Sequence, residues 1–369
     1  MAKATKGGTV PRLVLAGDIA VEFVDPKKMM QKIAPYFRDS AIAFCNCEWP
    51  LTDRGEPWPS KAGRVVRSAP EKIETYTYAG FDVVTLANNH VMNYGPEGLL
   101  QTIQILDAHG IKHCGAGKNL AEAHRPAVVD WKGLKIAFLG YTSVFTVGFE
   151  AAQNRPGMAV VRIDTTYKAP RRLHEVPGLP IQPTTSPRAD DAKRMCQDVK
   201  SAAKKADAVV VSFHWGVSGG HQHLIDYQAE LGHMAVDAGA NLVVGHHPHT
   251  IQPVELYKDG LIAYSLGHCG FDMESDDFTE ESIVLEVPLA KSRLGNPVVR
   301  PLGNAVEQPE VLDLIRGRSC LEWLARLSVP HGTQWKIEGD AVAPVAEGGK
   351  TSFAGPPTPG QKRRPQHIL

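Results

Sequence analysis

The segment Leu242-Val243-Val244-Gly245-His246-His247-Pro248-His249 joins a short apolar run to three imidazoles within four residues. The apolar run is typical of a buried strand, and a glycine turn at its end can aim the following side chains into one cavity. Imidazole is the commonest protein ligand for a divalent metal near neutral pH. Histidines crowded this closely would be costly to bury without metal or hydrogen-bond partners. The segment therefore predicts a metal site at the end of a buried strand.

The composition is typical of a soluble globular protein. The chain has 369 residues, of which 43% are hydrophobic and 22% are charged, which allows one large domain or two ordinary ones. Its 40 basic residues balance its 40 acidic residues, so no global charge favours nucleic acid or an anionic membrane. No apolar run reaches the ~18 residues of a membrane span, and no secretory signal is evident. The six cysteines show no disulfide framework. We expect a cytoplasmic protein, and its oligomeric state stays open.

Strands and helices alternate over the first 290 residues. The predicted strands are residues 12–16, 41–45, 82–87, 134–140, 208–213, 242–244, 261–264 and 282–287. The predicted helices are residues 26–37, 96–109, 189–205 and 225–238. This alternation favours an α/β core, and we place the main domain at residues 11–290.

Two other regions differ from this pattern. Residues 148–187 are rich in proline and arginine, and we expect this long loop to close over the site. Residues 291–339 form a predicted C-terminal extension packed on the core, with a helix over 311–327 that carries Trp323. Residues 340–369 are rich in proline and glycine and predict a flexible tail.

Residues with metal-ligand chemistry follow six of the predicted strands. They are Asp18, the pair Asn46 and Glu48, the stretch Asn88-Asn89-His90, His214, the histidine segment after Gly245, and His268. Because ligands bind at the carboxyl ends of strands in α/β sheets, these residues predict one polar pocket. Mixed carboxylate, amide and imidazole ligands are typical of sites for Mn, Fe, Zn or Ca-like ions, whereas a structural zinc site would favour thiolates. A bridging carboxylate would let two metals share the pocket.

These motifs resemble the capsule-synthesis protein CapA family, which is linked to poly-γ-glutamate and lies within the calcineurin-like metallophosphoesterase superfamily. The matching pieces, in family order, are Gly17-Asp18, Asn46-Cys47-Glu48 with Pro50-Leu51-Thr52-Asp53-Arg54-Gly55, Leu86-Ala87-Asn88-Asn89-His90, His214-Trp215-Gly216, Gly245-His246-His247-Pro248-His249 and Tyr264-Ser265-Leu266-Gly267. They span roughly residues 11 to 288, and as a set they are highly specific.

The resemblance implies a four-layer α/β/β/α sandwich with two divalent metal ions (Mn, Fe or Zn). In this pattern Asp18 holds one metal, Glu48 bridges, Asn89 and His214 hold the second metal, and His247 and His249 complete the set. His90 acts near the leaving group as a general acid or charge stabiliser, and His214 is counted with it among the catalytic residues.

The chain departs from the family pattern at four positions. Ala20 stands where the superfamily usually has a histidine, and Asn93 and Ser218 stand where the family usually has carboxylates. His268 stands where an asparagine is usual. The last three changes remove two carboxylates and add an imidazole around the predicted pocket. We therefore expect the metal platform to be kept and the substrate to differ.

Several residues allow a second interpretation. Asp18 could cap a turn, and the Asn88–Asn89 pair could form one. His221 and His223 touch substrate or belong to a solvated loop. Single arginines are ordinarily surface residues, but Arg64 and Arg67, with Arg155 and Arg162 as further candidates, could pair with an anionic substrate. The predicted substrate-binding set is Asn46, Arg64, Arg67, His246 and His268.

The leading hypothesis is a metal-dependent hydrolase that activates water against an amide or phosphoester bond of a small anionic or peptide-like substrate. A lyase reaction stays open, because the same metals can act as Lewis acids without delivering water. The alternative is a non-catalytic accessory protein of poly-γ-glutamate capsule or exopolymer biosynthesis. Metal stoichiometry separates the two, since about two metals per chain favours an enzyme and none favours a binder.

Overall fold

Two β-sheets packed face to face form the centre of the fold. The computed structural model describes residues 10–59, 63–219, 224–272, 281–290 and 293–346. In this part of the chain the strands are β1 (Arg12–Ala20), β2 (Ile42–Cys47), β3 (Val83–Thr85), β4 (Lys112–Cys114), β5 (Ala116–Gly117), β6 (Ala127–Trp131), β7 (Leu134–Thr142), β8 (Gly157–Met158), β9 (Ile163–Lys168), β10 (Gln182–Pro187), β11 (Ala208–His214), β12 (Leu242–His246), β13 (Val254–Tyr257), β14 (Gly260–Ala263), β15 (His268–Phe271), β16 (Ser282–Ala290), β17 (Arg293–Leu294), β18 (Val298–Gly303), β19 (Glu310–Val311), β20 (Thr333–Glu338) and β21 (Ala341–Ala346).

The helices surround these sheets. They are α1 (Pro26–Met30), α2 (Ala34–Arg38), α3 (Glu74–Ala79), α4 (Gly95–Ala108), α5 (Leu120–Ala123), α6 (Ala189–Ala203), α7 (Asp226–Ala238) and α8 (Arg318–Ser328), with short 3₁₀ turns at Pro70–Ile73 and Val329–His331.

Parallel strands dominate the middle of both sheets. The first sheet has the order β20-β21-β18-β16-β1-β2-β3-β4, with β15 beside β1. In it, β1 to β4 run parallel to one another and β16 runs antiparallel to β1. The second sheet has the order β13-β14-β12-β11-β7-β6, and β7, β11, β12 and β14 are parallel. The carboxyl ends of neighbouring strands therefore lie together at one edge of each sheet.

The alternation of side chains along each strand produces four layers. Leu13 and Leu15 of β1 pack between the sheets against the second-sheet strands, and Phe44 stacks on Phe138 across the same interface at 5.4 Å. Val14 points the other way, into the cluster formed with helices α1 to α4. The outer face of the second sheet is covered by α6 and α7. The structure thus confirms the predicted α/β/β/α sandwich.

Two predicted helices are wrong in their bounds. The helix expected over 26–37 is divided into α1 and α2, because Pro35 has no backbone N–H and cannot continue the first helix. The helix expected over 311–327 begins only at Arg318. The Asp313 carboxylate accepts the N–H groups of Ile315 and Arg316 at 2.9 and 2.8 Å, which favours a turn over a helix there. Trp323, as expected, packs against the interior.

The predicted tail also begins too early. Residues 341–346 form β21, which pairs with β20 and β18, so the boundary at residue 340 is wrong. Arg300 of β18 binds the Asp340 carboxylate at 2.7 Å and its carbonyl at 2.9 Å, and it also pairs with buried Glu286. This ion-pair network fixes a strand that composition alone assigned to a tail. Residues 347–369 lie outside the described residues.

The region expected to be a long loop contains a hairpin. Strands β9 and β10 pair along their whole length and pack against α7. Its arginines have carboxylate partners, since Arg162 binds Asp191 at 2.7 Å and Arg155 lies 3.7 Å from Glu150. Closure of this region over the site stays a prediction. Across the described ranges, no helix combines the length and the apolar character that a membrane crossing requires.

Candidate metal centre

Two glycines allow the ends of the central strands to approach closely. A Cβ at Gly17 would lie 1.9 Å from the carbonyl oxygen of Gly267, and a Cβ at Gly245 would lie 1.9 Å from that of Tyr264. The Asp18 N–H donates to the Gly267 oxygen at 2.9 Å, so β1 is fastened to the segment that leads into β15. A side chain at either glycine would push the two strand ends apart.

Three potential metal ligands converge where these strands end. Each of Asp18, Glu48 and His214 offers one ligand atom, and these atoms all lie within 4.8 Å of one another. All three side chains are buried and come from the ends of β1, β2 and β11. Two carboxylates and an imidazole in one buried cluster form a donor set suited to a divalent transition metal.

Asn46 holds the two carboxylates in place. Its Nδ2 donates to Asp18 Oδ1 at 2.9 Å and also to Glu48 Oε2. Its Oδ1 accepts a hydrogen bond from Asn88 Nδ2 at 3.0 Å, and Asn88 donates at 2.7 Å to the Cys47 carbonyl as well. Asn46 is fully buried, as Asp18 and Glu48 are, and its contact with substrate stays a prediction. Asn88, which the sequence allowed to be only a turn residue, is a positioning residue for this cluster.

Asp18 is kept ionised by two histidines. Its Oδ1 lies 3.0 Å from His246 Nδ1, and its Oδ2 lies 3.3 Å from His249 Nδ1 and accepts the His247 N–H at 3.1 Å. Burial alone would raise the pKa of Asp18, but the hydrogen bonds from His246 and His249 outweigh it and hold that pKa well below its usual range. An ionised carboxylate is the form that binds a cation.

His214 is kept neutral. Burial lowers the pKa of His214 well below its usual value, and the neighbouring His247 adds to this effect. Its Nε2 lies 2.9 Å from Asn89 Oδ1 and 3.7 Å from Glu48 Oε1. A neutral imidazole has the lone pair that a metal requires.

The histidine segment turns back on itself in an unusual conformation. His247 and His249 have φ angles of +93° and +57°, in the left-handed region that residues with a side chain rarely adopt. Such conformations cost about 1–3 kcal/mol each and cluster at functional sites. The turn brings the His247 ring to 4.8 Å from the His214 ring, measured between centroids, and the His249 ring to 5.8 Å from that of His247.

His268 extends the cluster of imidazoles. Its Nε2 lies 2.9 Å from His249 Nδ1, and Phe271 packs against both rings, with centroid distances of 4.9 Å to His249 and 4.6 Å to His268. Ala20, where the superfamily histidine is missing, packs in an apolar cluster with Trp49 and Phe271. His268 lies on β15, which pairs with β1 so that His268 is opposite Asp18 in the register, while the imidazoles that contact the Asp18 carboxylate are those of His246 and His249.

His90 is oriented by Asn93. The Asn93 Oδ1 accepts the Val66 N–H at 3.0 Å and lies 3.0 Å from His90 Nδ1, so it faces the imidazole as an acceptor and Nδ1 carries a proton. His90 Nε2 lies 3.9 Å from Glu48 Oε1. Arg67 directly follows Val66 in the same loop, and its guanidinium carbon lies 4.4 Å from the centroid of the Tyr94 ring.

The structure thus brings together all six residues predicted to hold metal: Asp18, Glu48, Asn89, His214, His247 and His249. Their ligand roles stay a prediction. His246 and His268 were expected to contact substrate, but both are fully buried within the cluster and reach Asp18 and His249 instead. Arg64 is exposed. His221 and His223 lie outside the described residues.

The residues present fit divalent cations. Two buried carboxylates and the neutral His214 imidazole, with ligand atoms within 4.8 Å of one another, are the donor set that a divalent transition metal prefers. Asp18, Glu48, Asn89, His214, His247 and His249 would hold the ions.

The family described as bacterial capsule synthesis protein PGA_cap matches residues 3–273. The chain belongs to this family. It is 29% identical over 313 residues to the PGA biosynthesis protein CapA of Bacillus subtilis, covering 84% of this chain and 73% of the relative. It is 30% identical over 246 residues to the capsule biosynthesis protein CapA of Bacillus anthracis, covering 66% of this chain and 54% of the relative. The resemblance drawn from the strand-end motifs is confirmed.

A more distant relative carries a different name. A Mycobacterium tuberculosis protein named as a probable polyglutamine synthesis accessory protein is 26% identical over 263 residues, covering 69% of this chain and 63% of the relative. Among solved structures, a hypothetical protein from Thermus thermophilus superposes with a TM-score of 0.47 at 12% identity, covering 82% of this chain and 98% of the other. A calcineurin-like phosphoesterase from Bacillus subtilis gives a TM-score of 0.39 at 12% identity, covering 85% and 98%.

Proposed function

We propose that this PGA_cap family member is a metal-dependent hydrolase acting on an amide or phosphoester bond. The observation that carries the proposal is the buried convergence of Asp18, Glu48 and His214, whose ligand atoms lie within 4.8 Å of one another. Two buried carboxylates held by one asparagine amide beside the neutral His214 imidazole form a donor set typical of a divalent-cation site. Divalent cations, when bound, supply Lewis-acid polarisation of the reacting group and increase the acidity of water.

The side chains of the chain would act in three ways. Asn46 fixes the separation of the Asp18 and Glu48 carboxylates through hydrogen bonds to both. His246 occupies Asp18 Oδ1 and so orients Oδ2 toward the cluster. His90, whose Nδ1 proton is directed at Asn93, presents Nε2 on the Glu48 side of the cluster, where a protonated Nε2 would donate to the leaving group.

The test combines metal content with activity. The full chain is loaded separately with Mn²⁺, Fe²⁺ and Zn²⁺, its metal content is measured by mass spectrometry, and it is assayed on a phosphomonoester, a phosphodiester and a γ-glutamyl amide. We expect close to two ions per chain, hydrolysis in at least one assay, and loss of both metal and activity in Asp18→Ala and His247→Ala. The matched control is His233→Ala, because His233 lies on α7 and pairs with Glu255, away from the cluster. The proposal would be refuted if the loaded chain bound no metal and if Asp18→Ala and His247→Ala had the same activity as the wild type.

The names of the relatives favour one second candidate. The Mycobacterium tuberculosis relative is named an accessory protein, which supports a non-catalytic part in polymer synthesis. In that case the chain would bind its ligand without metal, and Asp18→Ala would leave ligand binding intact. Metal stoichiometry therefore separates the two candidates before any substrate is known.

A further inference from the structure

A second concave feature lies beside the metal centre. It is a groove of about 520 Å³, a volume in the range of small-molecule sites. Its walls come from the segment after β7, the segment after β11, the β9–β10 hairpin and the start of α7. The groove is therefore built from elements that the motif pattern did not connect.

The groove begins where the strand that carries His214 ends. The Ser143 N–H donates to the His214 carbonyl at 2.9 Å, which joins one wall of the groove to the metal centre. Gly216 and Val217 follow His214 directly along the chain and line the groove, and the Gly216 N–H is held by the Tyr227 hydroxyl at 2.6 Å. A ligand in the groove thus lies next to His214, which the proposed function places in the metal centre.

The lining of the groove is apolar. Its apolar side chains are Val144, Phe145, Ile163, Val217, Leu224 and Ile225. Val217 is 54% exposed, so it presents its surface to a ligand without a change in the fold. Among the lining residues that the structure describes, none is Lys, Arg or His, and the charge that is present is the Asp226 carboxylate. The described lining therefore offers no cationic side chain to an anion.

Two hydroxyl groups add hydrogen-bonding capacity to the walls. Ser143 Oγ belongs to the segment after β7 and Thr185 Oγ1 to β10; both are buried and have no hydrogen-bond partner within the described ranges. A buried hydroxyl without a partner is unfavourable, and an amide group of a ligand would satisfy it. The groove therefore combines apolar contact area with a few polar contacts, as ligand sites commonly do.

We propose that this groove is a binding subsite for an uncharged, amide-bearing group of the substrate, such as a peptide-like segment with an aliphatic or aromatic side chain. The assignment of this group to the substrate rests on the proposed function of the neighbouring metal centre. A carboxylate-bearing polymer is disfavoured in this subsite, because a carboxylate beside Asp226 would have no cation to pair with among the lining residues that the structure describes. The substrate would thus extend from the metal centre through an uncharged part.

The experiment measures binding in the metal-free full chain. The two probes are N-acetyl-L-leucine amide, which is uncharged, and N-acetyl-L-glutamate, which carries two carboxylates, and their Kd values come from titrations followed by protein-observed NMR. We expect the uncharged probe to bind at least tenfold more tightly. Val217→Asp should weaken its binding at least tenfold, and Val329→Asp should leave it unchanged. Val329 is a suitable control because it is 60% exposed and lies at the end of α8, outside the groove. Equal binding of the two probes, no binding of the amide, or an unchanged Kd in Val217→Asp would overturn the proposal.

A second measurement separates this inference from the hydrolase proposal. If the metal-loaded chain hydrolyses none of the assay substrates but the amide probe binds as expected, the hydrolase proposal fails and the groove remains a binding site. If the chain hydrolyses a substrate and Val217→Asp changes KM equally for uncharged and anionic esters, the groove proposal fails and the hydrolase remains. The two proposals therefore fail in distinguishable ways.

Discussion

Replacing Asn46 with alanine should destabilise the metal-free protein far more than the metal-loaded one. Asn46 is fully buried, donates to Asp18 at 2.9 Å and to Glu48, and accepts from Asn88 at 3.0 Å. A hydrogen bond to a charged group contributes about 1.5–3 kcal/mol, so loss of the two bonds to carboxylates lowers the free energy of unfolding by about 3–6 kcal/mol. The Asn88 amide also loses one of its two acceptors and keeps the Cys47 carbonyl, which adds to the loss.

Bound cations should reduce this loss. A divalent cation between the carboxylates provides the positive partner that the amide otherwise supplies, and its binding also stabilises the folded state by mass action. The assay is urea unfolding followed by circular dichroism, performed once with EDTA and once with saturating Mn²⁺. We expect the difference between wild type and Asn46→Ala to be smaller in Mn²⁺ by at least about 1 kcal/mol.

Asn241→Ala is the matched control. Asn241 is also a buried asparagine, and its Oδ1 accepts the Val209 N–H at 2.8 Å in the second sheet, without a contact to the carboxylates. Its loss of stability should be the same in EDTA and in Mn²⁺. The reasoning is refuted if Asn46→Ala loses less than about 1 kcal/mol in EDTA, or if its loss does not depend on the metal.

Three further perturbations test other parts of the structure. His268→Asn removes the imidazole 2.9 Å from His249 and should weaken Mn²⁺ binding about 10–100-fold in a calorimetric titration, whereas His331→Asn should not. Because burial lowers the pKa of His214, the metal-free protein has its full stability above about pH 6.5 and loses up to about 1.4 kcal/mol per pH unit below it. Urea unfolding at pH 7 and pH 5.5 should show a smaller loss of stability on acidification in His214→Asn than in the wild type. An equal loss in the two proteins would contradict the assignment of a neutral His214. Arg300→Ala leaves Glu286 with a weaker set of partners and should lower the free energy of unfolding by about 3 kcal/mol, whereas Arg318→Ala, at an exposed pair with Glu322, should leave the urea midpoint unchanged.

The strand-end residues of the site could be predicted because their signal is local. Each of Asp18, Glu48, Asn89 and His214 lies within three residues after an apolar run, and the carboxyl ends of parallel strands meet at one edge of a sheet. The alternation of side chains along each run also indicates which residues point to either face of the strand. This predicts the layers of the sandwich. These inferences need only the order of residues along the chain.

The roles of the buried polar residues could not be predicted in the same way. Whether Asn46 faces a substrate or two carboxylates depends on where Asp18 lies, 28 residues away in the chain. His268 reaches His249 only because β15 pairs with β1, a pairing that no local pattern shows. The strand at Ala341–Ala346 likewise exists through its pairing with β20 and β18, which composition does not reveal, so its composition alone predicted a tail.

The electrostatics of the centre and of the groove beside it together limit the substrate. With His214 neutral, Asp18 and Glu48 supply the negative charge that opposes the cations, so a centre loaded with two divalent ions would attract an electron-rich group such as a phosphoryl or carbonyl oxygen. The groove that begins at Ser143 and Val217 has the opposite preference, since its described lining contains Asp226 and no cation. A polymer with a carboxylate on every unit would suit the centre and not the groove. A phosphoester or an amide attached to an uncharged chain would suit both, which is why the charge of the substrate on either side of its reacting bond is the property to vary first.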